Sequence, residues 1–344
     1  MDRFLEMTCS LVLVGSALAF GGVDPLTYSL AEIVLLAVLL SLLIKQLRDG
    51  KVHLLLVPVG PVLFLMWAAL AVVPLPAGFV GAISPAHLAA PNYTPRSSGV
   101  LSIAPHLTVV ALFKFLGYFV AFVLAANLFD SRKRRSILVG ALIVLGCFEA
   151  SYGIVQYLTN WHKIFTYTNI FDLSNATGTY INRNHFAGLL ELTMPFVLAA
   201  AFYSFQKASN SRHVDGGGAA SQRGAVNFQA LFYLLLLVVS FVALVFSRSR
   251  GGILAASFGM VFVVLLGQIR AGGKAWILFV VFFLTLIVGY SLWIGLNPVL
   301  ARFEQIGEKG FLQNEARAQI WKDTLGLLRE FPVTGSGLGT YGNF

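Results

Sequence analysis

The sequence predicts an all-α, polytopic membrane protein of about nine transmembrane helices, with an extracytoplasmic loop region after the last. Three observations lead there. Hydrophobic residues make up 57% of the 344 positions and charged residues only 11%, against about 25% charged in soluble domains. Apolar runs of about 18 residues or more recur along the chain, each long enough to cross a hydrocarbon layer about 30 Å thick as a helix. Basic residues gather in short clusters between those runs. A soluble enzyme is excluded, and the net charge of +9 is read as membrane topology and attraction to the anionic bilayer surface, with no nucleic-acid partner.

In chain order the apolar runs cover 4–22, 27–45, 54–74, 106–128, 137–157, 184–205, 229–247, 251–269 and 275–295. The first follows a mixed stub of Asp2, Arg3 and Glu6 and lacks a small-residue cleavage site, so it is expected to stay in the membrane and not to be removed as a signal peptide. The loops after the second, fourth, sixth and eighth runs carry Lys45, Arg48 and Lys51, then Arg132 to Arg135, then Lys207, Arg212 and Arg223, then Arg270 and Lys274. With Arg3 these are thirteen positive residues on one side, which the positive-inside bias names cytoplasmic. The N-terminus is then cytoplasmic and residue 344 exterior, periplasmic in a bacterial inner membrane. Ten basic residues fall on the other side, five of them in the long segment 296–344, where charge counts less for orientation.

Residues 207–228 are rich in Gly, Ser and Ala and read as a linker. The exterior segments 75–105 and 158–183 hold more Pro, Asn, Thr and aromatics and read as ordered loops. Cys9 and Cys147 both lie inside predicted spans, so neither a disulfide framework nor a Cys-based zinc site is built from them. HExxH and clustered aspartates are absent from the sequence, and no metal or cofactor is expected.

Three polar constellations stand out. Ser247-Arg248-Ser249-Arg250-Gly251-Gly252 joins two spans with almost no loop. An arginine at mid-bilayer costs about 3 kcal/mol or more, so two at a membrane boundary call for an anionic partner. Glycines permit a sharp reversal, and the next helix offers unpaired N–H groups and a positive dipole end, which together describe a phosphate-binding corner. Snorkelling of both arginines to lipid headgroups is the competing reading. The second is Gly178-Thr179-Tyr180-Ile181-Asn182-Arg183-Asn184-His185, at the start of the sixth span. It either grips a sugar or phosphate through Arg183, Asn184 and His185, or it only caps a helix through Asn182 or Asn184. The third runs from Asn314, a helix cap, through an apolar stripe that includes Trp321, Leu325 and Leu328, to Pro332. This predicts an amphipathic helix lying on the membrane or on the bundle, with Arg317 one turn before Trp321 either facing lipid phosphates or solvated. The closing GSGLGTYG lacks the Lys-Ser/Thr of a nucleotide P-loop and reads as a glycine-rich turn. Glu32, Lys114, Glu149 and Glu191 are intramembrane ionisable residues. Lys114 and Glu149 lie in neighbouring runs and are expected either to pair or to line a polar cavity.

GTYINRNHFAGLLELTMP before a span, SRSRGG at a tight turn and NEARAQIWKDTLGLLREFPVTGSGLGTY after the last span resemble, in order and spacing, the O-antigen ligase and O-antigen polymerase superfamily of bacterial inner-membrane glycan transferases. The resemblance covers residues 170–344, with four spans and the start of a large periplasmic loop at 296–344. Residues 1–169, with five spans, agree in hydropathy and in an FGG turn after the first span. It implies transfer of a glycan from an undecaprenyl-diphosphate carrier to a sugar or lipid-linked sugar acceptor, as in lipid A core ligation or polysaccharide polymerisation. It further implies that Arg250 and Arg317 hold the diphosphate, with Arg183, Asn184, His185 and Arg248 bordering the cleft. Family members place a histidine base beyond the glycine-rich motif, and at least one further span follows. The sequence ends at Phe344 without that histidine, so the chain is expected to be a C-terminally truncated copy that binds the carrier but transfers little. The catalytic base is then unknown, with His185 as a candidate substitute. The competing functions are a transporter or channel lined by Lys114, Glu149 and Glu191, and a noncatalytic membrane fragment.

Reporter domains fused after Arg135 and after Gly335 are expected to report opposite compartments. Activity on the same side for both fusions would overturn the topology.

Overall fold

The computed structural model describes residues 2–50, 58–88, 98–214, 228–271 and 316–343. Helix dominates, and six helices are long and apolar enough to cross a membrane: α2 (Pro25–Arg48), α6 (Pro105–Leu128), α7 (Arg132–Thr159), α8 (Arg183–Val214, apolar through Lys207), α9 (Phe228–Phe246) and α10 (Arg250–Ala271, apolar through Gly267). Helix α1 (Asp2–Leu18) has 17 residues and α3 (Val59–Leu70) only 12. The count of nine predicted spans is therefore not reproduced among the described residues; the run at 275–295 lies outside them. The 75–105 loop contains two further short helices, α4 (Ala77–Ile83) and α5 (Pro85–Leu88), and a two-residue pairing of β1 (Leu75–Pro76) with β2 (Ser98–Gly99). A second small antiparallel pairing, β3 (Lys163–Ile164) with β4 (Tyr167–Thr168), follows α7. The last described helix, α11 (Ala316–Glu330), ends just before Pro332, as the apolar stripe predicts.

The chain divides into two compact units. The first takes in 2–5, the described parts of 29–128, and 316–343. In it Glu32 of α2 packs on α6 at Gly117, where an added Cβ would stand 2.7 Å from the Glu32 Cγ. Lys114 lies one turn earlier on α6. The expected pairing of Lys114 with Glu149 is not what satisfies Glu149, whose carboxyl oxygens are bonded to Thr179. Near the start of the same unit, Lys45 is ion-paired with Asp2.

The second unit takes in 6–28 and the described parts of 129–271. Its core is the bundle α7 to α10, with Phe186, Leu190, Met194, Leu198, Leu244 and Met260 fully buried. Helix α8 is the central element because α7 and α10 both present small residues to it. On α7, Gly146 lies against Thr193 and Gly153 against Phe186, so the two helices run antiparallel in close contact. A Cβ at Gly153 would stand 2.6 Å from the Phe186 ring. On α10, Gly252 meets Ala187 and Gly259 meets Pro195, which sets α10 parallel to α8. The outward faces stay apolar: Leu254, Phe258, Phe262 and Leu265 of α10 are exposed at helical spacing, as a lipid-facing stripe requires.

The basic cluster at the start of α7 opposes the helix dipole, which favours anions at an N-terminus. Several groups offset it. Ser131 caps the helix by accepting from Arg134 N–H (3.3 Å), Arg134 pairs with Glu6 (3.1 Å) and Asp130 (3.4 Å), and Arg132 lies over the Tyr203 ring at 5.6 Å. Helix α8 runs on past Lys207 to Val214, into the stretch read as a linker.

Gly153→Ala is expected to lower the thermal unfolding midpoint of the detergent-solubilised protein, since overpacking of this kind costs about 1–3 kcal/mol. Gly140→Ala, on the same helix with nothing within 4 Å of the added Cβ, serves as the control and should leave the midpoint unchanged or slightly raised.

Candidate functional site

The two polar motifs of the second unit meet at the adjacent N-termini of α8 and α10. Asn182 is the cap of α8: its side-chain oxygen accepts from Asn184 N–H at 2.8 Å, and its carbonyl accepts from His185 and Phe186 N–H at 3.0 and 3.2 Å. This decides between the two asparagines the sequence offered as caps. Ser249 caps α10 in the same way, its hydroxyl accepting from Gly252 N–H at 3.3 Å. The Ser249 hydroxyl also donates to Asn184 Oδ1 at 2.9 Å, tying one helix start to the other.

Both helices carry an arginine at their first position, Arg183 and Arg250. A cation there is disfavoured by the dipole, and two parallel helices with adjoining N-termini add their positive ends. Asp172, 3.8 Å from Arg183, offsets part of this, and Asn175 holds Asp172 at 2.6 Å. Arg250 is exposed, and none of the ion pairs formed among the described residues involves it. The corner therefore combines unshielded positive charge with open backbone donors, the arrangement that attracts phosphate. Asn184 and His185 are exposed on the first turn of α8, beside it.

Arg248 has a different place. It adopts the left-handed region at φ 51°, and its guanidinium donates to the Tyr157 hydroxyl at 3.3 Å, 6.0 Å from the ring centroid. Tyr157 in turn stacks on Phe246 at 4.3 Å. The reversal between α9 and α10 is made by Arg248 and not by the glycines, because Gly251 and Gly252 are already helical. Gly252 is needed for a separate reason: a Cβ would stand 2.6 Å from the Ala187 Cβ and push α10 off α8.

Beneath the corner lies a contact that sequence reasoning missed. Glu149, in the middle of α7, is fully buried, and both of its carboxyl oxygens are taken by one residue. Thr179 N–H donates to Oε2 at 2.9 Å and the Thr179 hydroxyl to Oε1 at 2.5 Å. Gln156, two turns further along α7, donates to the carbonyls of Gly178 (2.9 Å) and Lys163 (2.8 Å). Gly178, at φ 57°, sits directly on Glu149 and Phe186 with no room for a side chain. Tyr180 covers the FGG turn after α1, where Gly21 (φ 72°) lies under its ring. Burial, reinforced by Glu149, pushes the Tyr180 phenol well above its ordinary range, so it stays protonated. The signal that was available is the small-residue row Gly146, Ala150 and Gly153 on α7, which marks the face that receives another element.

Arg317 lies on α11 in the first unit, at its second residue. The glycine-rich motif beyond it is structural. Gly335, Gly337 and Gly339 have φ of 65°, 115° and 76°, and Gly337 and Gly339 pack so closely on the start of α6 that any Cβ would collide with Ser102 or Ala111. The predicted cap Asn314 lies outside the described residues.

A family model described as O-Antigen ligase matches residues 235–344. No curated protein and no solved structure shows a significant match to the chain.

Glu149→Gln leaves one acceptor where two donors converge, and a buried donor left without a partner costs about 1–3 kcal/mol. Amide exchange in 176–182 is expected to accelerate about 10–100-fold by mass spectrometry, and Thr179→Ser to restrain it better than Thr179→Val. Unchanged exchange in Glu149→Gln would show that the loop is held by other contacts.

Proposed function

We propose that the chain serves in transfer of a glycan from an undecaprenyl-diphosphate carrier to a sugar hydroxyl, at the exterior face of a bacterial inner membrane, a reading supported by the match of residues 235–344 to the O-antigen ligase family model. Glycan transfer of the ligase or polymerase type is the general activity that the family supports. The observation that carries the finer reading is the paired N-termini of α8 and α10, bridged by Ser249 and Asn184, with Arg250 exposed at their edge.

In this reading the acceptor oxygen attacks the anomeric carbon of the donor glycan. The bond from that carbon to the diphosphate oxygen breaks, and the polyprenyl diphosphate leaves with the bonding pair. Negative charge grows on the leaving group, so donors fixed in advance at its oxygens lower the barrier. Arg250 and the open N–H groups of the first turn of α10 supply such donors. Arg317 is assigned the same role on the strength of its motif alone. A base takes the proton of the acceptor hydroxyl, and His185, exposed on the first turn of α8, is the candidate for it. Arg183 and Asn184 border the cleft, while Arg248 braces the turn against Tyr157.

The transport reading needs Glu149 to face a polar path. The carboxyl is instead fully buried and bonded to Thr179, so the alternative loses a residue it relied on.

Transfer from a lipid-linked glycan, assayed in membranes carrying the full-length protein, tests the proposal. Arg250→Ala is expected to reduce kcat/KM by about 10²–10³-fold, the usual effect of removing one such donor, and Arg250→Lys to recover only part because the planar fork is lost. Arg248→Ala should act chiefly through stability. Turnover indifferent to Arg250→Ala and to Arg317→Ala would overturn the diphosphate assignment.

A further inference from the structure

Helix α11 and the loop after it are fixed to the start of a membrane span. Within the first unit, Ile103 N–H donates to the Ser336 carbonyl at 3.1 Å. Gly337 lies against the hydroxyls of Ser102 and Thr108, which bond each other at 2.7 Å, and Gly339 lies against Ala111 and the Leu107 carbonyl. Residues 102–111 are the opening turns of α6 and the approach to it. The loop is held to α11 in turn: Phe331 is buried, Thr340 is buried, and the Tyr341 hydroxyl bonds Thr324 at 2.5 Å and the Ile320 carbonyl at 3.3 Å. The loop thus links α11 to the start of α6, a helix long and apolar enough to cross a membrane.

Helix α11 shows an uncovered apolar stripe. Trp321, Leu325 and Leu328, spaced four and three residues apart on one face, are 73, 57 and 62% exposed. Asp323 and Glu330 lie on the opposite side of the helix, and Lys322 and Arg329 flank the stripe. The sequence left open whether this helix lies on the bundle or on the membrane. Within the first unit the stripe stays open, while Ile320 and Thr324 are tied to Tyr341.

We infer that α11 is an interfacial helix whose Trp321, Leu325 and Leu328 face is seated in the headgroup–acyl boundary of the bilayer that α6 spans. Tryptophan favours that zone, and the apolar area supplies the attraction. The helix carries three positive and two negative residues, so its net charge is small and zwitterionic lipid suffices. The inference is independent of the glycan-transfer reading, since it concerns lipid contact alone.

The test uses the full chain in phosphatidylcholine nanodiscs, with an environment-sensitive fluorophore on Leu325→Cys, on Leu328→Cys or, facing away, on Asp323→Cys. The parent chain, whose Cys9 is buried and Cys147 half-buried, supplies the background. Doxyl groups placed shallowly in the acyl chains should quench the labels at 325 and 328 severalfold more than the label at 323, and aqueous iodide should do the reverse. Equal iodide access at all three positions would overturn the inference, as would labels at 325 and 328 shielded from both quenchers, which would mean that protein covers the stripe. None of these readouts needs a glycan donor, so failure here leaves the transfer proposal untouched, and the converse holds.

Discussion

The arrangement of the second unit depends on one buried carboxyl group. Glu149 sits in an apolar span with no exposure, where an unpaired polar group costs several kcal/mol. Its two oxygens are satisfied together by the backbone and hydroxyl of Thr179, thirty residues along the chain. Satisfying Glu149 therefore means fixing a loop. Once Thr179 is in place, Gly178 is pressed on Phe186, Tyr180 covers Gly21, and Asn182 is delivered where it caps α8. Each of these contacts excludes alternatives for the next, which is how a polar residue that stabilises little by itself specifies one conformation.

Close helix approach does the rest. Small residues on α7 and α10 let α8 sit between them, and the absence of a Cβ at Gly252 keeps α10 in register with α8 so that both helices start at the same level. The consequence is electrostatic. Two positive dipole ends and two first-turn arginines accumulate in one corner, and Asp172 answers only one of them. Arg248, held at Tyr157, shows that arginines two residues apart in one motif have taken separate tasks.

Glycine plays two distinct parts in this chain. In GSGLGTY the glycines adopt positive φ, and Gly337 and Gly339 pack on α6 and the approach to it, which makes the motif an anchor for α11. In SRSRGG they are helical, and the left-handed residue is an arginine. Sequence pattern alone suggests a glycine turn in both cases, because glycine permits positive φ but does not require it.

The sequence by itself determined the membrane class, the six long spans that the structure describes, the positions of the two polar motifs, and α11 with its stop before Pro332. All of these follow from local quantities: transfer of apolar side chains to hydrocarbon, helical periodicity, capping residues. The length of α3, the continuation of α8 to Val214 and the short helices α4 and α5 were not legible, since helix ends depend on neighbours as well as on composition. The tertiary structure alone decided that Glu149 answers Thr179, that Ser249 bonds Asn184 across 65 residues, and that Arg248 is held at Tyr157 while Arg250 joins none of the ion pairs formed among the described residues. Those outcomes rest on which groups packing brings within about 3 Å of one another, and in a chain this apolar each polar group must find its partner among the few that the packed helices bring within reach.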